Sequence, residues 1–254
     1  MSKTVVETQN FASLQPDILF IADLHLALGK ADITRRFLNF LQHRAKQAAA
    51  LYILGDLFDA WIGDDDNTPP NKTIKKALHT LKDGGTEIFL LQGNRDFLLG
   101  QQFCIESGVT LLDDYALIYL DGKPVLLTHG DLLCSDDLAY QSFRIKSRTN
   151  EWQDNVLSKP LWLRLLAARW YRFRSYFHKR GKTQEIMDVN PQTVIEALQK
   201  YGCSTLIHGH THRPAEHELW FDDHPAQRIV LADWKPGSGE VLCWNGSNFV
   251  REAL

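Results

Sequence analysis

The sequence has few cysteines, and their spacing excludes two common uses of this residue. Its 254 residues include only four, and none of them forms a CxxC pair or a close cluster. They are Cys104, Cys134, Cys203 and Cys243. We therefore expect neither a zinc knuckle nor a disulfide framework, and a reducing compartment fits better.

Long apolar runs are also missing. No stretch reaches the ~18 apolar residues that a membrane-spanning helix needs, so none is predicted. Residues 1–15 are polar and mixed, without the basic and then apolar regions of a signal peptide, so we expect a cytoplasmic protein. The net charge of -3 and the pI of about 6.4 give no indication of nucleic-acid binding.

The first half of the chain alternates strand-like and helix-like segments. A hydrophobic content of 44% is enough for a substantial core, in one domain or in one domain with an insertion. Strand patterns at 17–22, 51–54 and 87–91 are separated by helical patterns at 32–50 and 71–82. This alternation predicts an α/β layered fold in which helices flank a central sheet.

The second half divides into strands and one helical segment. Residues 115–120, 121–123 and 124–128 read as strand, turn and strand, and later strand patterns follow at 205–207, 216–221, 228–232 and 240–244. Residues 136–201 look wholly helical. We therefore predict a core of residues 17–135 and 202–254, with residues 136–201 inserted as a helical cap.

Ligand-type side chains follow the predicted strands, where ligands bind in open α/β sheets. They occur in Asp23-Leu-His25, Gly55-Asp56, Gly93-Asn94-Arg95-Asp96, His129-Gly-Asp131 and His208-Gly-His210-Thr-His212. Alternate residues of a strand share a face, so each i, i+2 pair points the same way. Carboxylate, imidazole and amide ligands suit Mn²⁺, Fe²⁺ or Zn²⁺, so the motifs indicate a divalent metal site.

The order of these motifs resembles the calcineurin-like metallophosphoesterase superfamily. The resemblance implies two divalent metal ions, which together can activate a water for in-line attack on phosphorus. One ion would be held by Asp23, His25, Asp56 and His210, and the other by Asp56, Asn94, His129 and His208. Asp56 would bridge the two ions, and His212 is expected outside the ligand set.

The resemblance also implies catalytic roles for Asp56, Asn94, Arg95 and His129. Arg95 follows a ligand, and its planar guanidinium suits a phosphate oxygen. The alternative interpretation is a surface arginine paired with Asp96.

Longer stretches resemble the UDP-2,3-diacylglucosamine diphosphatase family of lipid A synthesis. They lie at 19–26, 52–66, 93–100, 129–144, 186–190 and 206–214. The resemblance implies Mn²⁺-dependent hydrolysis of the substrate pyrophosphate to UMP and 2,3-diacylglucosamine 1-phosphate. It implies substrate contacts at Asn94, Arg95, Asp137, Ser175, Lys179, Lys182 and His210. The family often has Asn at the position of Lys179.

Residues 158–182 are basic and rich in aromatic residues, with no Asp or Glu. The basic residues are Lys159, Arg164, Arg169, Arg172, Arg174, Lys179, Arg180 and Lys182. Such a helix suits an anionic membrane surface, here the cytoplasmic face of the inner membrane, to which the protein would bind peripherally. It could equally form the wall of a substrate pocket, or pack on the core with a solvated basic face. We expect a lipid-linked sugar nucleotide substrate, no nucleic acid and no obligate protein partner.

Three alternatives have distinct expectations. Another calcineurin-like phosphodiesterase or a nuclease would act on other substrates, and a nuclease needs a broad basic track. A membrane-binding scaffold with a vestigial metal site would lack ligands, yet all seven are present. A protein phosphatase often has Gly-Asn-His, whose histidine protonates an alkoxide leaving group. Arg95 at that position favours a phosphate leaving group.

Overall fold

A computed structural model describes residues 17–179, 188–221 and 223–254, without the side chains of 173–179. Within these residues the helices are Ala31–His43 (α1), Asn71–Asp83 (α2), Gln101–Ser107 (α3), Leu138–Ser147 (α4), Asn150–Leu157 (α5), Leu161–Lys179 (α6) and Pro191–Tyr201 (α7). The strands are Ile18–Ile21 (β1), Ala50–Ile53 (β2), Glu87–Leu91 (β3), Thr110–Leu112 (β4), Tyr115–Leu120 (β5), Lys123–Thr128 (β6), Thr205–His208 (β7), Ala215–Phe221 (β8), His224–Val230 (β9), Glu240–Trp244 (β10) and Phe249–Ala253 (β11).

The strands form two sheets. The first has the order β11-β10-β1-β2-β3-β4, and β1 to β4 run parallel. The second has the order β5-β6-β7-β9-β8, and β6, β7 and β9 run parallel. Parallel strands end at the same edge of a sheet, so the residues that follow them in each sheet are brought side by side.

The two sheets share an apolar layer, and helices cover the far side of the first sheet. Phe20 and Tyr52 of the first sheet lie fully buried in one cluster with Ile118, Leu127 and Ile229 of the second. A separate cluster joins the opposite face of the first sheet to side chains of α1, α2 and α3. Strand residues buried on both faces read as continuous apolar runs, which is why β1 and β2 are recognisable in the sequence.

The predicted fold class is confirmed, with corrections at particular elements. The helix predicted at 32–50 ends at His43, because residues 50–53 pair with β1 as a buried strand. The strand predicted at 228–232 begins earlier, at His224. The short elements α3, β4 and β11 were not predicted. The division into core and cap stays a prediction.

Residues 138–179 and 191–201 contain the helices α4 to α7 of the predicted cap. Among the described residues, none of the helices is long and apolar enough to cross a membrane.

Candidate metal centre

The predicted ligands do follow the carboxyl ends of parallel strands. Asp23 comes after β1, Asp56 after β2 and Asn94 after β3, while His129 follows β6 and His208 ends β7. Backbone hydrogen bonds join these loops. Asp23 N donates to Gly55 O at 3.1 Å, and Gly209 N donates to His129 O at 2.9 Å. The loops of both sheets therefore meet at one place.

Several of these residues have backbone angles that non-glycine residues rarely adopt. The φ values are +56° at Asp23, +52° at His25, +53° at Asp56 and +68° at His210. Such angles cost free energy, and they persist where surrounding bonds enforce them, commonly at functional sites. Here His25 N donates to Asp56 O at 2.9 Å, and His210 N donates to Asp23 Oδ2 at 2.7 Å.

Asp56 lies between two groups of ligand atoms. Its Oδ2 is 3.7 Å from Nδ1 of His25, and its Oδ1 is 3.8 Å from Nε2 of His129. Ligand atoms of Asp23, Asp56 and His129 all lie within 4.8 Å of one another. A carboxylate with one oxygen toward each group is the arrangement that a bridging ligand requires.

The amide oxygen of Asn94 joins the same cluster. Asn94 Oδ1 is 3.2 Å from His129 Nε2 and 3.1 Å from His210 Nδ1. His208 is fully buried at the end of β7, and Arg228 Nη1 lies 3.5 Å from its Nε2. The structure therefore brings together the amide and imidazole groups that were predicted on separate motifs.

His212 lies beside the cluster. Its Nε2 is 3.3 Å from His25 Nε2 and 3.4 Å from Asp23 Oδ1, and these three residues form a second group within 4.8 Å. Its Nδ1 is 3.4 Å from Asp233 Oδ2. The exclusion of His212 from the ligand set stays a prediction, but the side chain is close enough to interact with both Asp23 and His25.

Backbone carbonyls orient two of the imidazoles. Nδ1 of His129 lies 2.8 Å from Leu54 O, and Nδ1 of His208 lies 2.8 Å from Gly209 O. An oxygen acceptor at this distance requires a proton on Nδ1. In the neutral imidazole, Nε2 then carries the free electron pair that can bind a cation. This is the usual way in which a protein fixes the tautomer of a metal-binding histidine.

Metal ions fit this group of residues. Asp23 Oδ1 and His25 Nδ1 are buried and have no well-formed hydrogen bond, so a cation would supply the partner that each lacks. A Cβ at Gly93 would lie 2.2 Å from Asp56 Oδ1, and one at Gly209 would lie 2.4 Å from Asp23 Oδ2. Glycine at both positions allows the backbone to pack directly against the two carboxylates.

The protein alone holds these groups in conflicting charge states. Burial raises the pKa of Asp56 to about 7, and burial lowers the pKa of His25 to about 3 and that of His208 to about 4. Burial would also raise the pKa of Asp23, but contact with His212 and the charge of His129 hold it below its usual range. Binding of cations favours carboxylates that are charged and imidazoles that are neutral, so Asp23, His25 and His208 are already in the required forms. Asp56 and His129, whose pKa values are raised, would release protons on binding.

Two buried carboxylates next to the ligands were not predicted to have a role. Asp96 is fully buried and accepts backbone N–H groups of Gly93 at 2.8 Å and of Asp56 and Phe58 at 3.3 Å each. It therefore links two ligand loops and is not a surface partner of Arg95. The only sequence signal was its place directly after Asn94-Arg95.

Asp131 is the second such carboxylate. It is almost fully buried, accepts the Tyr140 hydroxyl, and receives Arg144 Nε at 2.8 Å. Arg144 Nη2 reaches Asp114 at 2.6 Å. Since Asp131 follows His129 by two residues, this network attaches helix α4 to a ligand loop.

Only some of the predicted substrate-binding residues lie in the described part of the chain. Asp137 caps α4 and accepts Tyr140 N at 3.1 Å, and its contact with substrate stays a prediction. The backbone N–H of Arg95 donates to Asp56 Oδ1 at 2.8 Å, and this bond holds Arg95 at the metal cluster. The side chains of Ser175 and Lys179, and all of Lys182, lie outside the described residues.

Comparison with known proteins places this geometry in a family. The profile of the calcineurin-like phosphoesterase family matches residues 16–214, and the predicted ligands all fall within that range. The chain belongs to this family. As expected of a calcineurin-like phosphoesterase, its strand-end loops carry the Asp, Asn and His side chains in the predicted order. Divalent metal ions are the cofactors that the family implies.

Curated relatives of this calcineurin-like phosphoesterase are named UDP-2,3-diacylglucosamine hydrolase. One from Chromohalobacter salexigens is 49% identical over 221 residues, covering 87% of this chain and 90% of the relative. One from Ectopseudomonas mendocina is 51% identical over 238 residues, covering 91% and 96%. One from Pseudomonas paraeruginosa is 51% identical over 223 residues, covering 85% and 90%. Both levels of the resemblance found in the sequence are thus confirmed.

Proposed function

We propose that this protein hydrolyses the pyrophosphate bond of UDP-2,3-diacylglucosamine to UMP and 2,3-diacylglucosamine 1-phosphate, a step of lipid A synthesis. The observation that carries the proposal is the placement of Asp56 between two groups of ligand atoms, in a chain about 50% identical to relatives of that name. The cofactors would be two divalent ions, with Mn²⁺ as the proposed ion.

The residues divide the work of the reaction. When bound, divalent ions neutralise charge on the attacked phosphoryl group and lower the pKa of water. Asp23, His25, Asp56 and His210 would hold one ion, and Asp56, Asn94, His129 and His208 the other. Arg95 is held at the cluster by its backbone, so its guanidinium is available to orient a phosphate oxygen.

The proposed reaction is tested by product release. We expect the purified protein with Mn²⁺ to release UMP from UDP-2,3-diacylglucosamine, and we expect EDTA to abolish the release and added Mn²⁺ to restore it. Cyclic nucleotides and single-stranded DNA should be hydrolysed at least about 100-fold more slowly per site, because neither offers a sugar nucleotide with acyl chains. Faster hydrolysis of either would favour another phosphodiesterase or a nuclease.

We further propose peripheral binding to the cytoplasmic face of the inner membrane through α6. Trp162, Leu166 and Trp170 follow one another at helical spacing and are 62%, 54% and 61% exposed. Arg164 on the opposite face is buried and bonded to Asp65 and Ile62 O. An apolar stripe beside exposed Arg169 suits an anionic lipid surface, since apolar burial and charge attraction act together.

Replacing both Trp162 and Trp170 with Ser should weaken binding to vesicles with anionic lipid by about 10-fold or more, because two aromatic rings no longer enter the interface. Sedimentation with vesicles measures this. Trp220→Ser is the matched control, since Trp220 is 69% exposed on β8, the edge strand of the second sheet. Equal loss in both variants, or loss in neither, would contradict the assignment of the surface to α6.

A further inference from the structure

Arg148, at the end of α4, makes all of its described side-chain contacts with the loop that carries Asn94. Its Nη1 donates to Gln92 Oε1 at 3.0 Å and its Nη2 donates to Gly93 O at 2.9 Å. Its guanidinium carbon lies 4.8 Å from the centre of the Phe97 ring. A residue of the predicted cap thus makes three contacts with one loop of the predicted core.

The hydrogen bond from Arg148 to Gly93 O holds the peptide group that precedes Asn94. The N–H of Gly93 donates to Asp96 Oδ1 at 2.8 Å, and its α-carbon packs so closely on Asp56 that a Cβ would lie 2.2 Å from Oδ1. The remaining polar group of Gly93 is its carbonyl oxygen, which accepts the hydrogen bond from Arg148. Because that carbonyl belongs to the peptide that joins Gly93 to Asn94, its orientation sets the direction in which Asn94 leaves the loop.

The same loop then passes to Arg95, whose N–H donates to Asp56 Oδ1 at 2.8 Å. A tilt of the Gly93–Asn94 peptide would therefore disturb both the Asn94 amide oxygen and the backbone bond to the predicted bridging carboxylate. Arg148 acts on both through its hydrogen bond to Gly93 O, without contacting the side chain of Asn94 or Arg95. Its contacts with Gln92 and Phe97 hold the guanidinium in the position from which it donates that bond.

We infer that Arg148 is a positioning residue that holds Asn94 and Arg95 in place for metal binding and phosphate orientation. Only one part of this inference, the orientation of the phosphate, rests on the proposed function. It assigns a second task to the helical insertion, which would support the metal centre from α4 in addition to any contact with substrate. Arg144, one turn earlier, makes a parallel attachment to the His129 loop through Asp131.

Lysine at position 148 provides the test, because it keeps the charge but loses the planar fork and the stacking on Phe97. In the full chain, Arg148→Lys should weaken Mn²⁺ binding by about 10-fold, as loss of an outer-shell partner commonly does. At saturating Mn²⁺, kcat for UMP release should fall by about 10- to 100-fold. KM should change by less than about 3-fold, since the variant removes no substrate contact.

Calorimetric titration and Mn²⁺ electron paramagnetic resonance measure the binding part without any substrate. A failure of the proposed reaction would leave that result unaffected, and turnover can then be followed with bis(p-nitrophenyl) phosphate. Arg44→Lys is the matched control: Arg44 also makes a forked contact, with Glu252 at 2.7 and 2.8 Å, but on the β11 side of the first sheet. Its Mn²⁺ affinity should stay within about 2-fold of the parent chain.

A folded Arg148→Lys variant with Mn²⁺ affinity and kcat within about 2-fold of the parent chain would overturn the inference. If that variant does not fold, the double variant Gln92→Met, Phe97→Leu removes two of the three contacts without altering a predicted ligand. It should weaken Mn²⁺ binding by about 3- to 10-fold. Unchanged Mn²⁺ binding in the double variant would equally overturn the inference.

Discussion

Asp56→Asn should lower kcat for UMP release by about 10³-fold or more, the equivalent of several kcal/mol of lost transition-state stabilisation. Asp56 directs one carboxylate oxygen toward each predicted ion site, with Oδ2 near His25 and Oδ1 near His129. An amide has one oxygen and no charge, so it holds two cations much more weakly than a carboxylate does. Mn²⁺ stoichiometry, measured by titration, should fall in the same variant.

The fold should survive this change. Burial raises the pKa of Asp56 to about 7, so the chain gains nothing from a charge at this position until cations are bound. The amide oxygen of Asn can also accept the Arg95 N–H that Oδ1 accepts now. Asp65→Asn is the control, because it alters a loop carboxylate that binds Arg164 and should keep most activity. Near-normal turnover in Asp56→Asn would contradict the role of Asp56 as a bridging ligand.

Asp96→Ala should lower the free energy of unfolding by at least about 3 kcal/mol, which corresponds to roughly 6–12 °C in Tm for a domain of this size. The side chain accepts three backbone N–H groups inside the protein, and alanine leaves each without a partner. Each orphaned donor costs about 1–3 kcal/mol. Because the N–H groups belong to the Asp56 and Asn94 loops, Mn²⁺ affinity should fall as well.

Thermal unfolding with and without Mn²⁺ measures both effects. Asp96→Asn should lie between the parent chain and alanine, since one amide oxygen can still accept two of the three N–H groups. Asp154→Asn, on the exposed surface of α5, is the control and should shift Tm by no more than about 2 °C. An alanine variant as stable as the parent chain would show that Asp96 does not hold the two loops together.

The sequence identified the strands that position the centre because their burial is visible in their composition. β1, β2 and β3 are short apolar runs, and each is followed within a few residues by a ligand-type side chain. β3 was predicted with its observed bounds, Glu87–Leu91. The rule that parallel strands end at one edge applies within one sheet, so it does not give the approach of Asn94, after β3 of the first sheet, to His129 and His210, which follow strands of the second.

The short elements were missed because they carry too little pattern. α3 has seven residues and β4 has three, and such short segments give too few repeats for a periodic pattern to be recognised. α3 also depends on a distant residue: Asp64, in the loop between β2 and α2, accepts Gly100 N and Phe103 N, both at 3.0 Å. A helix start of that kind has no local signature in the sequence.

The supporting residues were missed for a related reason. Arg148 contacts Gly93 across 55 positions, and Arg144 contacts Asp114 across 30. An arginine in a basic helical segment looks the same whether it faces solvent or a loop of the core. Their roles depend on tertiary packing, and motif spacing does not report it.

The most direct test of the proposed reaction is hydrolysis of UDP-2,3-diacylglucosamine with Mn²⁺ in water enriched in ¹⁸O, followed by mass analysis of both products. Attack on the uridine-side phosphorus predicts UMP that carries one ¹⁸O atom and 2,3-diacylglucosamine 1-phosphate that carries none. Label in the sugar phosphate would show that the other phosphorus is attacked. Absence of UMP release would contradict the proposed function itself.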